Sequence, residues 1–122
     1  MNKEEMKKSF QEKPWGSFEQ FTHSEPTTVK ILTINPSQSL SLQYHHNRDE
    51  FWKVILGHAR ITIGDAVHDA LDGDEFFIAS GQKHRAEAGS SEIKILEISF
   101  GDFNENDIVR LEDIYDRTNN EK

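Results

Sequence analysis

The chain has 122 residues, a formal net charge of −8 and no cysteine. This length suits one domain around a single core. The acidic balance disfavours nucleic-acid binding, because a phosphate backbone would be repelled, although a local basic pocket can still bind a small anion. Without cysteine there are no disulfides, thiolate metal sites or cysteine nucleophiles, and we expect a cytoplasmic protein. We predict neither a signal peptide nor a membrane span, since no apolar run approaches ~20 residues.

The N-terminal residues are followed by a series of short apolar runs. Residues 1–12 are charged and mixed, which predicts a frayed or briefly helical arm before a single domain at residues 13–117. Apolar runs bounded by Gly, Pro, Asn, Asp and Ser are typical of strands. We predict strands at residues 18–21, 29–34, 59–63, 66–70, 75–78, 84–87 and 92–100, and two more on either side of a polar turn at 47–49. With no helical pattern between them, they favour an all-β sandwich or small barrel.

The last part of the chain has a different pattern. Ile108, Leu111 and Tyr115 recur at helical spacing, which is typical of one face of a helix. We therefore predict a short C-terminal helical segment that packs against the barrel. Residues 118–122 are polar and charged, and we predict a disordered tail there.

Side chains of metal-ligand type are expected to meet at the central polar turn. Gln43 and His45 lie two apart on one strand and therefore share a face. Residues 47–49 form the turn that returns Glu50 on the neighbouring strand. His84, which begins another short strand, is a fourth candidate. Two nitrogens and two oxygens suit a borderline divalent metal, although two histidines near a glutamate are also typical of an ordinary solvated turn.

These segments resemble the two sequence motifs of the cupin superfamily. The first motif runs from a glycine through His-x-His and a glutamate to a second glycine. In this chain Ser37 stands at the position of the first glycine and Gln43 at the position of the first histidine. His45, Glu50 and Gly57 match the motif. The second motif is matched at Gly73, Gly81 and His84, with Ala79 and Ala88 in place of its proline and asparagine. The resemblance implies a cupin double-stranded β-helix, which is a jelly-roll barrel.

Three longer segments narrow the resemblance. Residues 13–19, 40–52 and 107–117 are together similar to the cupin domain of type II mannose-6-phosphate isomerases, which often follows a mannose-1-phosphate guanylyltransferase domain. The resemblance implies a homodimer and one divalent metal, with zinc first and manganese, nickel, cobalt or iron as alternatives. The implied ligands are Gln43, His45, Glu50 and His84. Departures from the family leave this set intact: Lys13 replaces an arginine, Asn47 a histidine and Asp116 a glycine.

The implied reaction interconverts mannose 6-phosphate and fructose 6-phosphate by moving a proton between C2 and C1. The metal would polarise the substrate oxygens, and a positioned base would contribute a further ~10²–10⁴-fold in rate. Candidates for the base are His46, Glu97 and a metal-bound water. Basic residues available for the phosphate are Lys13, Lys30, Arg48, Lys83, Arg85 and Arg110. We favour Arg110 and Lys30, count Arg110 among the catalytic candidates, and keep Lys13 and Arg85 as further phosphate ligands.

Other functions stay open at this point. A non-catalytic metal-binding cupin could bind a sugar phosphate or sugar nucleotide without turnover, and the departures at Lys13 and Asn47 favour that reading. A metal-dependent oxygenase is disfavoured by Gln43, where many cupin oxygenases have a histidine. Residues 110–113 are equally typical of a structural cap over the barrel.

Overall fold

Eleven β-strands form the regular structure of residues 3–118, the part of the chain that this computed structural model describes, together with a 3₁₀ turn at Lys3–Glu5. The strands are β1 Ser9–Lys13, β2 Gly16–Gln20, β3 Thr27–Ile34, β4 Leu42–Tyr44, β5 Glu50–Leu56, β6 Ala59–Ile63, β7 Ala66–Ala70, β8 Glu75–Ile78, β9 His84–Ala88, β10 Ile93–Phe100 and β11 Val109–Glu112. Residues 3–118 contain no helix that is long and apolar enough to cross a membrane. Apart from Thr118, the predicted tail lies outside the described residues.

The strands form two larger sheets and a separate hairpin. One sheet has four strands in the order β3-β10-β5-β8, the other has five in the order β11-β4-β9-β6-β7, and β1 pairs with β2. The pairings within each sheet are antiparallel. This two-sheet jelly roll confirms the predicted all-β barrel.

The core lies between the inner faces of the two larger sheets. Alternate residues of a strand face opposite sides, so Trp52 and Val54 in β5 point the same way as their neighbour Ile95 in β10. They are fully buried and form one cluster with Ile61 from the facing sheet. Burying side chains of this size stabilises the fold by about 1.5–3 kcal/mol each. The inner face of the same strand β5 begins with a polar residue, Glu50, so one end of the barrel is polar.

The N-terminal residues form more structure than the predicted arm. Strands β1 and β2 make a hairpin, and before it Met6 packs with Phe51 and Ile98 on the outer face of the four-stranded sheet. The predicted domain boundary between residues 12 and 13 therefore falls inside β1. All five residues of β1 are exposed, so the strand exists because its backbone pairs with β2, and no apolar pattern marks it.

The C-terminal segment forms a strand where the sequence pattern predicts a helix. Strand β11 runs antiparallel to β4 at the end of the five-stranded sheet. Val109 is buried, whereas Leu111, Ile114 and Tyr115 are exposed, so the apolar residues at helical spacing share no buried face. Hydrogen bonding to β4 outweighs the local helical preference, as tertiary contacts often do.

Gly57, directly after β5, is expected to be intolerant of any side chain. Its backbone φ is +95°, where L-residues are strained, and a Cβ built there would lie 2.6 Å from the carbonyl oxygen of Glu92. We expect Gly57→Ala to lower the free energy of unfolding by about 2–4 kcal/mol, since strain and clash add. Urea denaturation measures this.

Gly73→Ala is the matched control for that variant. Its φ is +93°, but a Cβ there meets nothing within 4 Å. It should lose only the strain component, about 1–3 kcal/mol. Equal losses for the two variants would show that the close approach to Glu92 does not matter.

Candidate metal centre

The polar end of the barrel contains three buried side chains of ligand type. His45 directly follows β4, Glu50 begins β5 and His84 begins β9. Their exposed fractions are 3%, 0% and 0%. One ligand atom from each lies within 4.8 Å of the others. The turn after β4 therefore returns Glu50 toward His45, as the sequence predicts, and His84 joins them from β9. We call these three side chains the ligand cluster.

Each imidazole is oriented by a hydrogen bond on its outer nitrogen. Nδ1 of His45 lies 2.7 Å from the carbonyl oxygen of Asp107, and Nδ1 of His84 lies 2.9 Å from that of Gln82. Because a carbonyl can only accept, each Nδ1 carries the proton and each Nε2 presents its lone pair to the cluster. Nε2 of His45 and of His84 lie 3.5 Å and 3.6 Å from the Glu50 carboxylate. Metal-binding histidines are commonly held in this way.

The protonation states of the cluster suit a cation. Burial lowers the pKa of His45 and of His84, which keeps both imidazoles neutral at pH 7. Burial acts to raise the pKa of Glu50, but the charges that His84 and His45 carry when protonated in acid, together with the hydrogen bond and charge of Arg48, outweigh it, so that the pKa of Glu50 is lowered. Two neutral imidazoles and one ionised carboxylate are the forms in which these groups bind metal.

Two atoms of the ligand cluster have no hydrogen-bond partner among residues 3–118. They are Oε1 of Glu50 and Nε2 of His84, and both are buried. Leaving a buried polar atom unsatisfied costs about 1–3 kcal/mol. A divalent ion would satisfy both atoms at once, and a set of two imidazoles and a carboxylate is one that zinc accepts. The residues therefore fit a divalent metal.

Gln43 and Arg110 extend the cluster along the five-stranded sheet. Gln43 in β4 lies directly opposite Arg110 in β11 and His84 in β9, and directly opposed residues share a face. Nε2 of Gln43 lies 3.5 Å from Nε2 of His45, while its Oε1 accepts a hydrogen bond from Ser41 at 2.6 Å. Gln43 is thus beside the cluster, and its amide has to turn over before the oxygen can serve as a ligand.

Glu97 and Lys30 lie on the inner face of the four-stranded sheet. Glu97 in β10 is directly opposite Lys30 in β3 and Trp52 in β5, and it lies on the same face as Glu50. Burial, followed by the charge of Glu50, raises the pKa of Glu97 to about 7, although Trp52 Nε1 donates to its carboxylate at 3.2 Å. Nζ of Lys30 lies 2.7 Å from the carboxylate of Glu105. A carboxyl group with a raised pKa and a lysine therefore lie on the inner face of this sheet beside the cluster.

Three predicted site residues lie apart from the cluster: His46, Lys13 and Arg85. The side chain of His46 is exposed, and Lys13 is exposed at the end of the separate β1–β2 hairpin. Arg85 follows His84 on β9 and therefore faces the other side of the sheet, where its Nη1 lies 3.3 Å from the carboxylate of Glu112. The alternation along β9 therefore turns Arg85 away from the ligand cluster, contrary to its predicted role as a phosphate ligand.

Asp107 positions His45, a role that the sequence interpretation missed. Its carbonyl oxygen accepts the His45 Nδ1 hydrogen, and its carboxylate accepts the backbone N–H groups of His46 and Asn47 at 2.8 Å and 3.0 Å. The residue thus holds both the imidazole and the turn that carries it. The only sequence signal was its place at the start of the segment 107–117 that resembles the family.

Replacing Asp107 by alanine should loosen the His45 turn while leaving the carbonyl in place. We expect a loss of roughly tenfold in zinc affinity, because partners that orient metal-binding histidines are typically worth 10–100-fold. Isothermal titration calorimetry measures it. Asp72→Ala is the control, since the Asp72 carboxylate also accepts a backbone N–H, from Gly57 at 2.6 Å, at the other end of β5. Unchanged affinity in both variants would refute the positioning role.

A jelly roll with two histidines and a glutamate converging at one end defines the chain as a cupin. Its fold is similar to that of a sugar phosphate isomerase of the cupin superfamily from Silicibacter pomeroyi, with a TM-score of 0.58 and 19% identity over 62% of this chain and 51% of that one. At this identity the comparison concerns the fold alone.

Sequence comparison identifies the family. The family described as "Mannose-6-phosphate isomerase C-terminal" matches residues 1–113, and the chain belongs to it. The chain is 37% identical over 108 residues to the xanthan biosynthesis protein XanB of Xanthomonas campestris pv. campestris, covering 87% of this chain and 23% of that protein. It is 36% identical over 107 residues to the mannose-1-phosphate guanylyltransferase ManC of Salmonella typhimurium, covering 86% and 22%. The chain therefore spans less than a quarter of the length of these relatives.

Proposed function

We propose that the chain is a metal-dependent aldose–ketose isomerase that interconverts mannose 6-phosphate and fructose 6-phosphate. The observation that carries this proposal is the buried ligand cluster, with two polar atoms that have no hydrogen-bond partner among the described residues, in a chain of the mannose-6-phosphate isomerase C-terminal family. Zinc is our first choice of metal, with Gln43 as a fourth ligand. When bound, the metal supplies polarisation of the substrate's carbonyl and hydroxyl oxygens.

Glu97 is the proposed base. The reaction takes the proton from C2 of the open-chain aldehyde and returns it to C1, while one hydroxyl proton leaves O2 and one reaches O1, so no oxidant or reductant is needed. A carboxyl whose pKa lies near the working pH can both accept and return a proton, and that of Glu97 is raised to about 7. Its burial beside Trp52 also limits exchange of the proton with water. His46 is less suited, since it is exposed.

Arg110 and Lys30 are the proposed phosphate ligands. Arg110 in β11 lies directly opposite Gln43 on the five-stranded sheet, and Lys30 in β3 lies directly opposite Glu97 on the four-stranded sheet. Two cations that approach from opposite sheets suit a dianionic phosphate, and the guanidinium group can grip it bidentately. Lys13 and Arg85 are not included, because the hairpin and the outer face of β9 carry them away from the cluster.

A coupled assay of fructose 6-phosphate formation tests the proposal. Chelator-treated protein is reloaded separately with zinc, manganese, nickel, cobalt and iron, and mannose 6-phosphate is added. We expect turnover with at least one metal and none in the chelator-treated protein. A protein that demonstrably holds metal and leaves mannose 6-phosphate unchanged would refute the isomerase.

A second candidate function is binding of a sugar phosphate or sugar nucleotide without turnover. It is favoured by the departures from the family pattern at Lys13 and Asn47. Thermal stabilisation by mannose 6-phosphate in a metal-loaded but inactive protein would support it.

A homodimer is also part of the proposal. Among the described residues, β3 is an outer strand of the four-stranded sheet, and Val29 and Ile31 on it are 57% and 60% exposed. An exposed edge with apolar side chains is suited to pairing with a second copy.

A further inference from the structure

Arg48 occupies the ligand cluster with a buried guanidinium group. Its side chain is only 8% exposed. Its Nε donates a hydrogen bond to Oε2 of Glu50 at 2.8 Å, and its Nη2 lies 3.2 Å from Nε2 of His45. Since Nδ1 of His45 already donates to Asp107, Nε2 is the acceptor, and it has a single lone pair. That lone pair cannot accept from Arg48 and bind a metal at the same time.

Charge leads to the same exclusion. The ligand cluster contains one ionised group, the carboxylate of Glu50, which already balances the guanidinium of Arg48. A divalent ion beside that guanidinium would leave two cations a few ångströms apart in a buried site, where their repulsion is only weakly screened. The ion and the inward position of Arg48 are therefore alternatives.

The same guanidinium also holds the loop that covers the site. We call residues 101–106, which lie between β10 and Asp107, the mouth loop. Nη1 of Arg48 donates to the carbonyl oxygen of Asn104 at 3.2 Å, and the ring of Phe103 lies 4.4 Å from its Cζ. An Arg48 side chain that leaves the cluster would have to give up these contacts or carry the loop with it.

We propose that Arg48 and the divalent ion exclude each other at His45 and Glu50, so that binding of the ion turns Arg48 outward and releases the mouth loop for entry of the substrate. Arg48 is then a positioning residue that couples occupancy of the metal centre to access from solvent. The inference rests on the metal centre of the proposed function and adds a specific order of events to it. Metal comes first, the loop opens, and the sugar phosphate follows.

Cobalt titration of Arg48 variants tests the exclusion. We compare the wild type, Arg48→Met and Arg48→Lys by calorimetry and by the visible absorption of bound Co²⁺. Arg48→Met removes the competing cation at similar length, and we expect it to bind Co²⁺ about tenfold more tightly or better, since the ion no longer has to displace a side chain. Arg48→Lys should fall between the two. Arg60→Met, which removes an exposed arginine from β6, should match the wild type.

The outcomes separate this inference from the function it rests on. Unchanged or weaker binding by Arg48→Met, with normal binding by the wild type, would overturn the exclusion and leave the metal centre standing. A wild type that does not bind Co²⁺ would overturn both.

Hydrogen exchange in the wild-type protein tests the release of the mouth loop without requiring that a variant fold. The backbone N–H of Asn106 donates to Oδ1 of Asn104 within the mouth loop at 2.9 Å. We expect exchange in the mouth loop to become roughly fivefold faster or more when Co²⁺ binds, while exchange in β10 stays the same or slows. Equal or slower exchange in the mouth loop would overturn the proposed release.

Discussion

Glu50→Gln is expected to abolish stable metal binding and, with it, isomerase turnover. Glu50 supplies the only negative charge of the ligand cluster, and its carboxylate is fully buried between two neutral imidazoles. At an effective dielectric of about 20, two unit charges about 4 Å apart interact by about 4 kcal/mol, which corresponds to about 10³-fold in affinity. A divalent ion in direct contact should lose at least that much. Calorimetric titration with zinc and the coupled assay measure the two effects.

Glu87→Gln is the matched control. It makes the same chemical change on β9, three residues after His84, where the carboxylate lies 3.9 Å from Arg60 and is partly exposed. Its zinc affinity and turnover should equal those of the wild type. If Glu50→Gln kept its affinity within tenfold of the wild type, Glu50 would not be a ligand.

Glu97→Gln is expected to change how stability depends on pH. The Glu97 carboxyl has a pKa of about 7 in the folded protein against an ordinary value of 4.5. Between those values the folded state keeps a proton that the unfolded state has released, so the free energy of unfolding falls as pH rises through this range. The loss is on the order of 3 kcal/mol, and above pH 7 it is complete. Glutamine stays neutral and can still accept from Trp52, so the variant should be the more stable protein at pH 8 and equal to the wild type below pH 4.5.

The comparison requires chelator-treated protein, because a bound cation near Glu50 would alter the pKa of Glu97. Glu75→Gln on β8 is a control with the opposite sign. Burial acts to raise the pKa of Glu75, but hydrogen bonds from Lys8 and Lys53 outweigh it and the net pKa is lowered. That variant should therefore lose stability at neutral pH and recover toward the wild type in acid. An unchanged pH slope in Glu97→Gln would rule out a raised pKa for Glu97.

The ligand cluster could be predicted because local rules build most of it. Alternation along a strand aligned Gln43 with His45, and a polar turn returned Glu50 to them. His84 is a candidate from its place at the start of another short strand, and the second motif of the resemblance supports it. The register between β4 and β9 places it directly opposite Gln43.

The parts that escaped prediction depend on contacts between distant segments. Strand β1 exists through backbone pairing with β2 and has no apolar pattern in its own residues. In β11, Val109 and Leu111 alternate with polar residues over only four positions, which is too short to outweigh the helical spacing of Ile108, Leu111 and Tyr115. From the sequence Arg48 could be predicted only to be a basic residue in a turn, because no sequence pattern predicts that its guanidinium group points inward to Glu50. Asp107 accepts a hydrogen bond from His45, which lies 62 residues away in the sequence, and nothing in the local sequence of either residue predicts that contact.

The most direct test of the metal centre is a crystal structure of the zinc-loaded protein, with diffraction data collected at the zinc absorption edge. We expect one anomalous peak at about 2.0–2.2 Å from Nε2 of His45, Nε2 of His84 and the Glu50 carboxylate. We also expect the Arg48 side chain to lie outside the ligand cluster. A peak elsewhere, or no peak at saturating zinc, would contradict the metal centre and the isomerase mechanism that depends on it.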